Sequence, residues 1–234
     1  MMEKLRSSSR TTEVDSVGRQ ILDAMKKGDW SADTHLSSLQ VEISQRSLAL
    51  NTAIKRDKSE SELEENDSQR DADTRDVFYL NMGFLHHPDE TIKQAAVAVQ
   101  TVLDKYTLDI VRQSNAVQSS LTESLLNDLM ATDIQPFVGT LPGLSVLISR
   151  LDASQDGVKA SNLTYLASKA NDENQATASE VKKELLNSIN DKLVVYLRAM
   201  VQVDEAKYSD LHNTVAQIIE TNNMNVKKRY NKAE

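Results

Sequence analysis

ETIKQAAVAVQTVLDKY, residues 90–106, is the stretch on which the fold reading turns. Ile92, Ala95, Ala96, Val99, Leu103 and Tyr106, continued by Ile110, recur every three or four residues. That is the period of a helix with one apolar face. Pro88 suits the first turn of such a helix, where its missing N–H costs nothing, and Asp89-Glu90 complement the helix's positive end. Ala95, Ala96 and Ala98 would let a second helix approach to the ~8 Å end of normal interaxial distances.

The same period extends outward on both sides. Val14, Val17, Ile21 and Met25 form a stripe that closes at Gly28, a natural C-terminal cap. After Asp33-Thr34, Leu36, Leu39, Ile43, Leu50 and Ile54 form another, and Val77, Leu80, Phe84 and Leu85 a third that ends at His86-His87-Pro88. Downstream lie Leu121, Leu125 and Leu129; then Thr140-Leu141-Pro142, read as a cap and first turn, with Leu144, Leu147, Ile148 and Leu151 behind it. Two further stripes are Val181, Leu185, Ile189, Leu193 and Tyr196, and Tyr208, Leu211, Val215, Ile218 and Ile219. Six Gly and three Pro in 234 residues leave too few turn signals for a sandwich or barrel. A shift of 116 residues lays Ile92, Ala95, Val99, Val102 and Leu103 on Tyr208, Leu211, Val215, Ile218 and Ile219. The same shift lays Val77, Leu80 and Leu85 on Leu193, Tyr196 and Val201. Either a duplication or chance likeness between amphipathic helices gives this echo. The expected fold is all-α, an elongated bundle of about six to eight helices. After a flexible tail, 1–10, it would consist of helical halves 11–114 and 115–230, packed together or fused into one domain.

Charge narrows the partners. The formal net charge is −8, and no basic face recurs along any stripe, so nucleic acid is disfavoured. Lys55–Asp76 holds nine acids and five bases, and between Asp57 and Asp76 the only apolar residues are Leu63 and Ala72. With so little to bury, 57–76 is expected to be either an exposed helical extension or a hinge, its acids solvated. Lys227-Lys228-Arg229 and Lys232 complement the negative end of the last helix. Nowhere are there ~18 consecutive apolar residues, and no apolar run follows Lys4, Arg6 and Arg10. A cytoplasmic location without a membrane span is expected, on the premise that no leader has been removed.

Convergent chemistry is sparse. With no Cys, disulfides, thiolate metal sites and Cys nucleophiles are out. His86, His87 and Asp89 form the densest group of possible ligands, but adjacent histidines on a helix point ~100° apart, whereas zinc helices use i, i+4 pairs. The group reads as a polar helix junction. Asp152-Ala153-Ser154-Gln155-Asp156-Gly157 resembles the start of a calcium loop, yet the position for the bidentate Glu is Leu163 and Lys159 adds a positive charge. Ser179-Glu180-Val181-Lys182 matches S-x-x-K, a spacing common by chance. Glu-x-x-His, Walker, G-x-G-x-x-G, H-E-x-x-H and G-x-S-x-G motifs are all missing. No catalytic residue, metal site or cofactor is therefore expected, and the chain is read as a non-enzyme.

Glu65-x-Asp67-x-x-Arg70-Asp71, followed by His87-x-Asp89, Ile92, Ala95-Ala96, Val99, Val102, Asp104 and Tyr106, resembles a bacterial family of all-helical proteins catalogued only as a domain of unknown function. The likeness runs from about residue 10 onward and is best over 65–106. Thr74 and Ser114 stand where the family pattern has an aromatic, and Thr107 where it has Gly after Tyr106. The resemblance implies a helical bundle and supplies no activity or cofactor; some relatives carry adhesin or haemagglutinin labels. The function expected is a non-enzymatic helical interaction or scaffold protein, with a protein partner or self-association. The alternatives are a cell-surface adhesin-like protein and a small-ligand or metal-binding bundle.

Overall fold

A computed structural model describes residues 2–170 and 176–231. Among the described residues every regular element is helical, so the all-α expectation holds. In order they are α1 (Thr11–Met25), α2 (Thr34–Phe84), α3 (Glu90–Leu103), a 3-10 turn (Leu108–Arg112), α4 (Asn115–Leu129), α5 (Gln135–Thr140) and α6 (Leu144–Ala170). Then come α7 (Ala178–Asn187), a π turn (Ser188–Leu193), α8 (Val194–Val203) and α9 (Glu205–Asn231). No helix among the described residues is long and apolar enough to cross a membrane. The chain divides into two compact units: Met1–Lys58 with Ser168–Glu234, and Ser59–Ala167. These boundaries differ from the expected cut at 114/115, because α2 carries the chain from the first unit into the second and α6 carries it back.

In the first unit, the stripes of α1, early α2, α7–α8 and α9 close on one another. Val14, Ile21, Met25, Ile43, Leu185 and Val215 are fully buried. The flexible tail expected over 1–10 is a correction. Met2, Leu5 and Ser9 are buried, with Met2 and Leu5 in the same core, because side chains of the later helices bond the segment's backbone. Gly28 is not the cap of α1, which ends at Met25 with Lys26 as its cap. A Cβ on Gly28 would lie 2.6 Å from the Trp30 ring, so glycine there makes room for the indole, whose Nε1 donates to the Met25 carbonyl at 2.8 Å.

In the second unit, Val77, Ala96, Val99, Leu103, Leu125 and Leu151 form the core. Asp89 is the N-cap of α3, its carboxylate accepting from the Thr91 and Ile92 N–H groups, and Glu90 opens the helix. Pro88 therefore precedes α3 and is not in its first turn: the capping carboxylate needs its own residue in extended backbone, φ −78°, ψ 119°. The small residues of α3 do admit a neighbour. Buried Asn81 of α2 donates to the Ala96 carbonyl at 3.2 Å and to Gln100 Oε1 at 2.9 Å. Thr140-Leu141-Pro142 ends α5 and turns before α6, the reversal being made by Gly143 at φ 82°. The echoed stripes occupy the end of α2 with α3, and the π turn and α8 with α9. Val99 and Val215, and Leu103 and Ile219, are alike in being fully buried.

Thr107 adopts φ 56°, ψ 164°. A β-branched residue there carries strain of ~1–3 kcal/mol. Glycine gives back ~0.5–1 kcal/mol of that through its freer unfolded chain. Thr107→Gly is thus expected to stabilise the protein by about 1 kcal/mol in urea unfolding, whereas Thr107→Ala, strained in the same way, should bring no gain.

Candidate functional site

The acid-rich stretch 57–76 is the helical middle of α2, so the hinge alternative falls. It does have a face to bury, and that face is polar. Arg70, Asp73 and Thr74 are buried, leading into Val77 at helical spacing. The Arg70 side chain is 0 % exposed. Its Nη1 donates to Ser119 Oγ of α4 at 2.7 Å and to Gln155 Oε1 of α6 at 3.1 Å, while Nη2 pairs with Asp67 one turn back. Around this centre Gln118 donates to Asp71 Oδ1 at 2.7 Å, Gln155 Nε2 to the Ser119 carbonyl at 3.2 Å, and Arg150 pairs with Asp73. Burial pulls the guanidinium pKa down, and the carboxylates of Asp67 and Asp71 oppose it. The charge is kept, because an arginine does not deprotonate in a protein. Arg70 Nε and Thr122 Oγ1 have no hydrogen-bond partner among the described residues. This layer joins three helices across the second unit.

Beside it, Glu123, Asp152, Asp156 and Lys159 line a polar cleft of about 250 Å³. Lys159 is within 3.0 Å of Glu123 and 3.6 Å of Asp156, so two of the three carboxylates share one ammonium. The calcium-loop-like run 152–157 lies wholly inside α6. Helical backbone turns Ser154 away from Asp152 and Asp156, which share one face, so the run forms no enclosing loop. Ser179 and Lys182 are in α7, where Lys182 reaches the Ser7 carbonyl at 3.0 Å.

The first unit holds a second buried polar group. Asp33, N-cap of α2 and 7 % exposed, accepts from the Leu36 N–H at 2.9 Å through Oδ1 and from the hydroxyls of Tyr196 and Tyr208, each at 2.7 Å, through Oδ2. Burial pushes the Asp33 carboxyl up, but the bonds from Tyr208, Leu36 and Tyr196 outweigh it and hold the pKa below the ordinary value. The Tyr196 hydroxyl is driven well above its usual range by burial and by its bond to Asp33. Trp30 stacks on Tyr208 with ring centroids 5.7 Å apart. The ring also lines a cleft of about 290 Å³ with Lys207 and Asp210, but Asp33 is not in that lining.

Glu42 anchors the contact of α2 with the π turn in the same unit. Lys192 donates to it at 2.7 and 2.8 Å, Ser188 at 2.8 Å and Arg46 at 3.1 Å, and together they outweigh burial and hold its carboxyl at about 2. Since its folded pKa lies below the unfolded 4.5, the stability it contributes is complete above pH 4.5 and is lost as pH falls towards 2. Acid titration of Trp30 emission should show this, with Glu42→Gln flattening the dependence over that interval.

His86 is exposed and His87 half-buried at the α2–α3 junction. His87 Nδ1 accepts the Asp89 N–H at 3.1 Å, while the Asp89 carboxylate is spent on capping α3, which lowers its pKa. No group of three or more His, Asp or Glu able to hold a metal occurs among the described residues. Of the basic C-terminal residues, Arg229 pairs with Glu13 and donates to the Ser8 carbonyl; Lys232 lies outside the described residues.

Residues 60–218 match the family of unknown function DUF6261, more than half of the chain. The chain belongs to this family. The match contains all of the Arg70 layer, and Tyr196 and Tyr208, whereas Asp33 and Glu42 lie before it. Comparison with curated proteins and with solved structures gives no significant match. In this chain Asp67, Arg70 and Asp71 thus have a physical role, a charged layer between helices centred on the buried Arg70. Its residues were visible in the sequence; their burial was not, since the acceptors Ser119 and Gln155 lie 49 and 85 residues away. Asp33 carried one signal, its place before Thr34 as a cap, but nothing local ties it to Tyr196 or Tyr208.

Proposed function

We propose that this protein is a non-enzymatic helical interaction or scaffold protein that works in the cytoplasm through contacts with protein, a second copy included, rather than with nucleic acid. The observation that carries this reading is where the polar chemistry goes. The acids and bases of the Arg70 layer, the Asp33 pair and the Glu42 cluster bond one another between helices, whereas a reaction centre needs such groups to converge on a hollow that a substrate can enter. A cleft of about 340 Å³ between α2 and α7 follows the same pattern, its Arg46 being paired with Glu184. Apolar side chains stand exposed on single helix faces: Val41 and Leu48 of α2 at 57 and 70 %, Leu163 and Leu166 of α6 at 69 and 51 %. Such pairs at helical spacing match the way one helix packs on another. The overall charge of −8 argues against a phosphate backbone as partner.

The test is hydrodynamic mass by light scattering over a wide concentration range, with a cross-linking pull-down. Self-association or a reproducible protein partner, weakened by Val41→Glu with Leu48→Glu or by Leu163→Glu with Leu166→Glu, is expected. A strict monomer with no reproducible partner overturns the reading.

A further inference from the structure

Residues 2–6 have no regular secondary structure, yet Met2 and Leu5 are each only 2 % exposed. Two asparagines hold this segment by its backbone. Asn190, in the π turn between α7 and α8, accepts the Leu5 N–H at 2.7 Å and donates to the Leu5 carbonyl at 2.9 Å. Asn223 of α9 accepts the Arg6 N–H at 3.1 Å and donates to the Lys4 carbonyl at 2.9 Å. In an extended chain the N–H and C=O of one residue lie on one edge, and the groups flanking it lie on the other. The two amides therefore bond opposite edges of one peptide, as two neighbouring strands would. A carboxamide can do this because it carries a donor and an acceptor side by side. The carbonyls of Met2, Ser7 and Ser8 are taken by Arg198, Lys182 and Arg229, and Lys4 Nζ meets Asp191 at 2.7 Å. A π turn adds one residue to a helical turn and is frequent at binding sites; here it carries Asn190.

This is peptide recognition, with the backbone read by polar side chains and with Met2 and Leu5 as apolar anchors. We infer that the groove between the π turn of α7–α8 and α9 is a peptide-binding site, and that the segment it takes in trans is residues 2–6 of a second copy, exchanged reciprocally. A second copy is the occupant because it carries the same anchors and the same backbone, so each bond made in cis is remade in trans. Exchange of an identical element costs little beyond association itself. The connection to α1 is the short run Ser7–Arg10, and exchange opens what holds it: the Ser9 N–H bond to the Arg6 carbonyl at 3.1 Å and the bonds of Lys182, Arg229 and Asn222 to Ser7, Ser8 and Ser9. The inference rests on the proposed function and gives it a site and a partner.

The native Lys4–Asp191 pair supplies the test. Full-length chains of natural and heavy-isotope composition are mixed, incubated at high concentration and treated with a zero-length carbodiimide, and the linked peptides are analysed by mass spectrometry. Same-isotope Lys4–Asp191 links are expected in monomer, and with complete exchange about half of those in the dimer should be mixed-isotope. Asn190→Ala with Asn223→Ala should lower both kinds several-fold. Same-isotope links alone at every concentration overturn the exchange, and the absence of any Lys4–Asp191 link overturns the groove itself. If light scattering still reports self-association in either case, the proposed function stands and this inference alone falls.

Discussion

Replacement of Arg70 by alanine is expected to destabilise the unit built from residues 59–167 by about 3–5 kcal/mol. Two effects add. The side chain is 0 % exposed, so its removal leaves a hole between α2, α4 and α6. Gln155 Oε1 and Ser119 Oγ also lose the donor placed against them, and an unmet buried polar group costs ~1–3 kcal/mol. Asp67, with its side chain 38 % exposed, can turn to water and adds little. Arg70→Met separates the two effects, since it keeps most of the volume but none of the donors, and should cost about half as much. Hydrogen exchange across α4 and α6 is the suitable readout because it reports this unit directly. Exchange there as slow as in the parent protein would mean that the layer is incidental to the fold.

Asp33→Ala should cost about 3 kcal/mol in the other unit, the second-largest effect expected. It strips the N-cap of α2 and leaves the hydroxyls of Tyr196 and Tyr208 without their shared acceptor. Tyr196→Phe and Tyr208→Phe each remove one bond and the group that needs it, so each should cost only about 1 kcal/mol. Trp30, the only tryptophan in the chain, stacks on Tyr208, so its emission follows this unit during urea unfolding. The acid limb provides an independent check. The Asp33 pKa is lowered from 3.8, so its contribution is complete above pH ~4 and is lost as pH falls through the lower folded value. Asp33→Asn, which cannot ionise, should remove that part of the pH dependence. An alanine variant as stable as the parent would show that the two tyrosines find other partners.

The helices and their inward faces were legible in the sequence. Val14 to Met25, Ile92 to Leu103 and Tyr208 to Ile219 repeat at the helical period, and burying aliphatic side chains is a local pattern that needs no knowledge of the partner. The same logic misjudged the polar residues. Arg70 and Asp73 read as solvent-facing because a charge is buried only when something distant meets it, and Ser119, Gln155 and Arg150 come from helices far along the chain. His86, His87 and Asp89 lie between α2 and α3, and the hydrogen bonds of His87 and Asp89 serve to start α3.

What the sequence determined by itself is that this chain is built of helices and where most of their buried faces lie, since periodicity is written residue by residue. The tertiary structure alone decided which helices form which unit, that a charged layer is buried in one of them, and that residues 2–9 are held in a groove of the other. Each of these depends on hydrogen-bonding partners tens to hundreds of residues apart, and pairing at such separations leaves no period in the sequence.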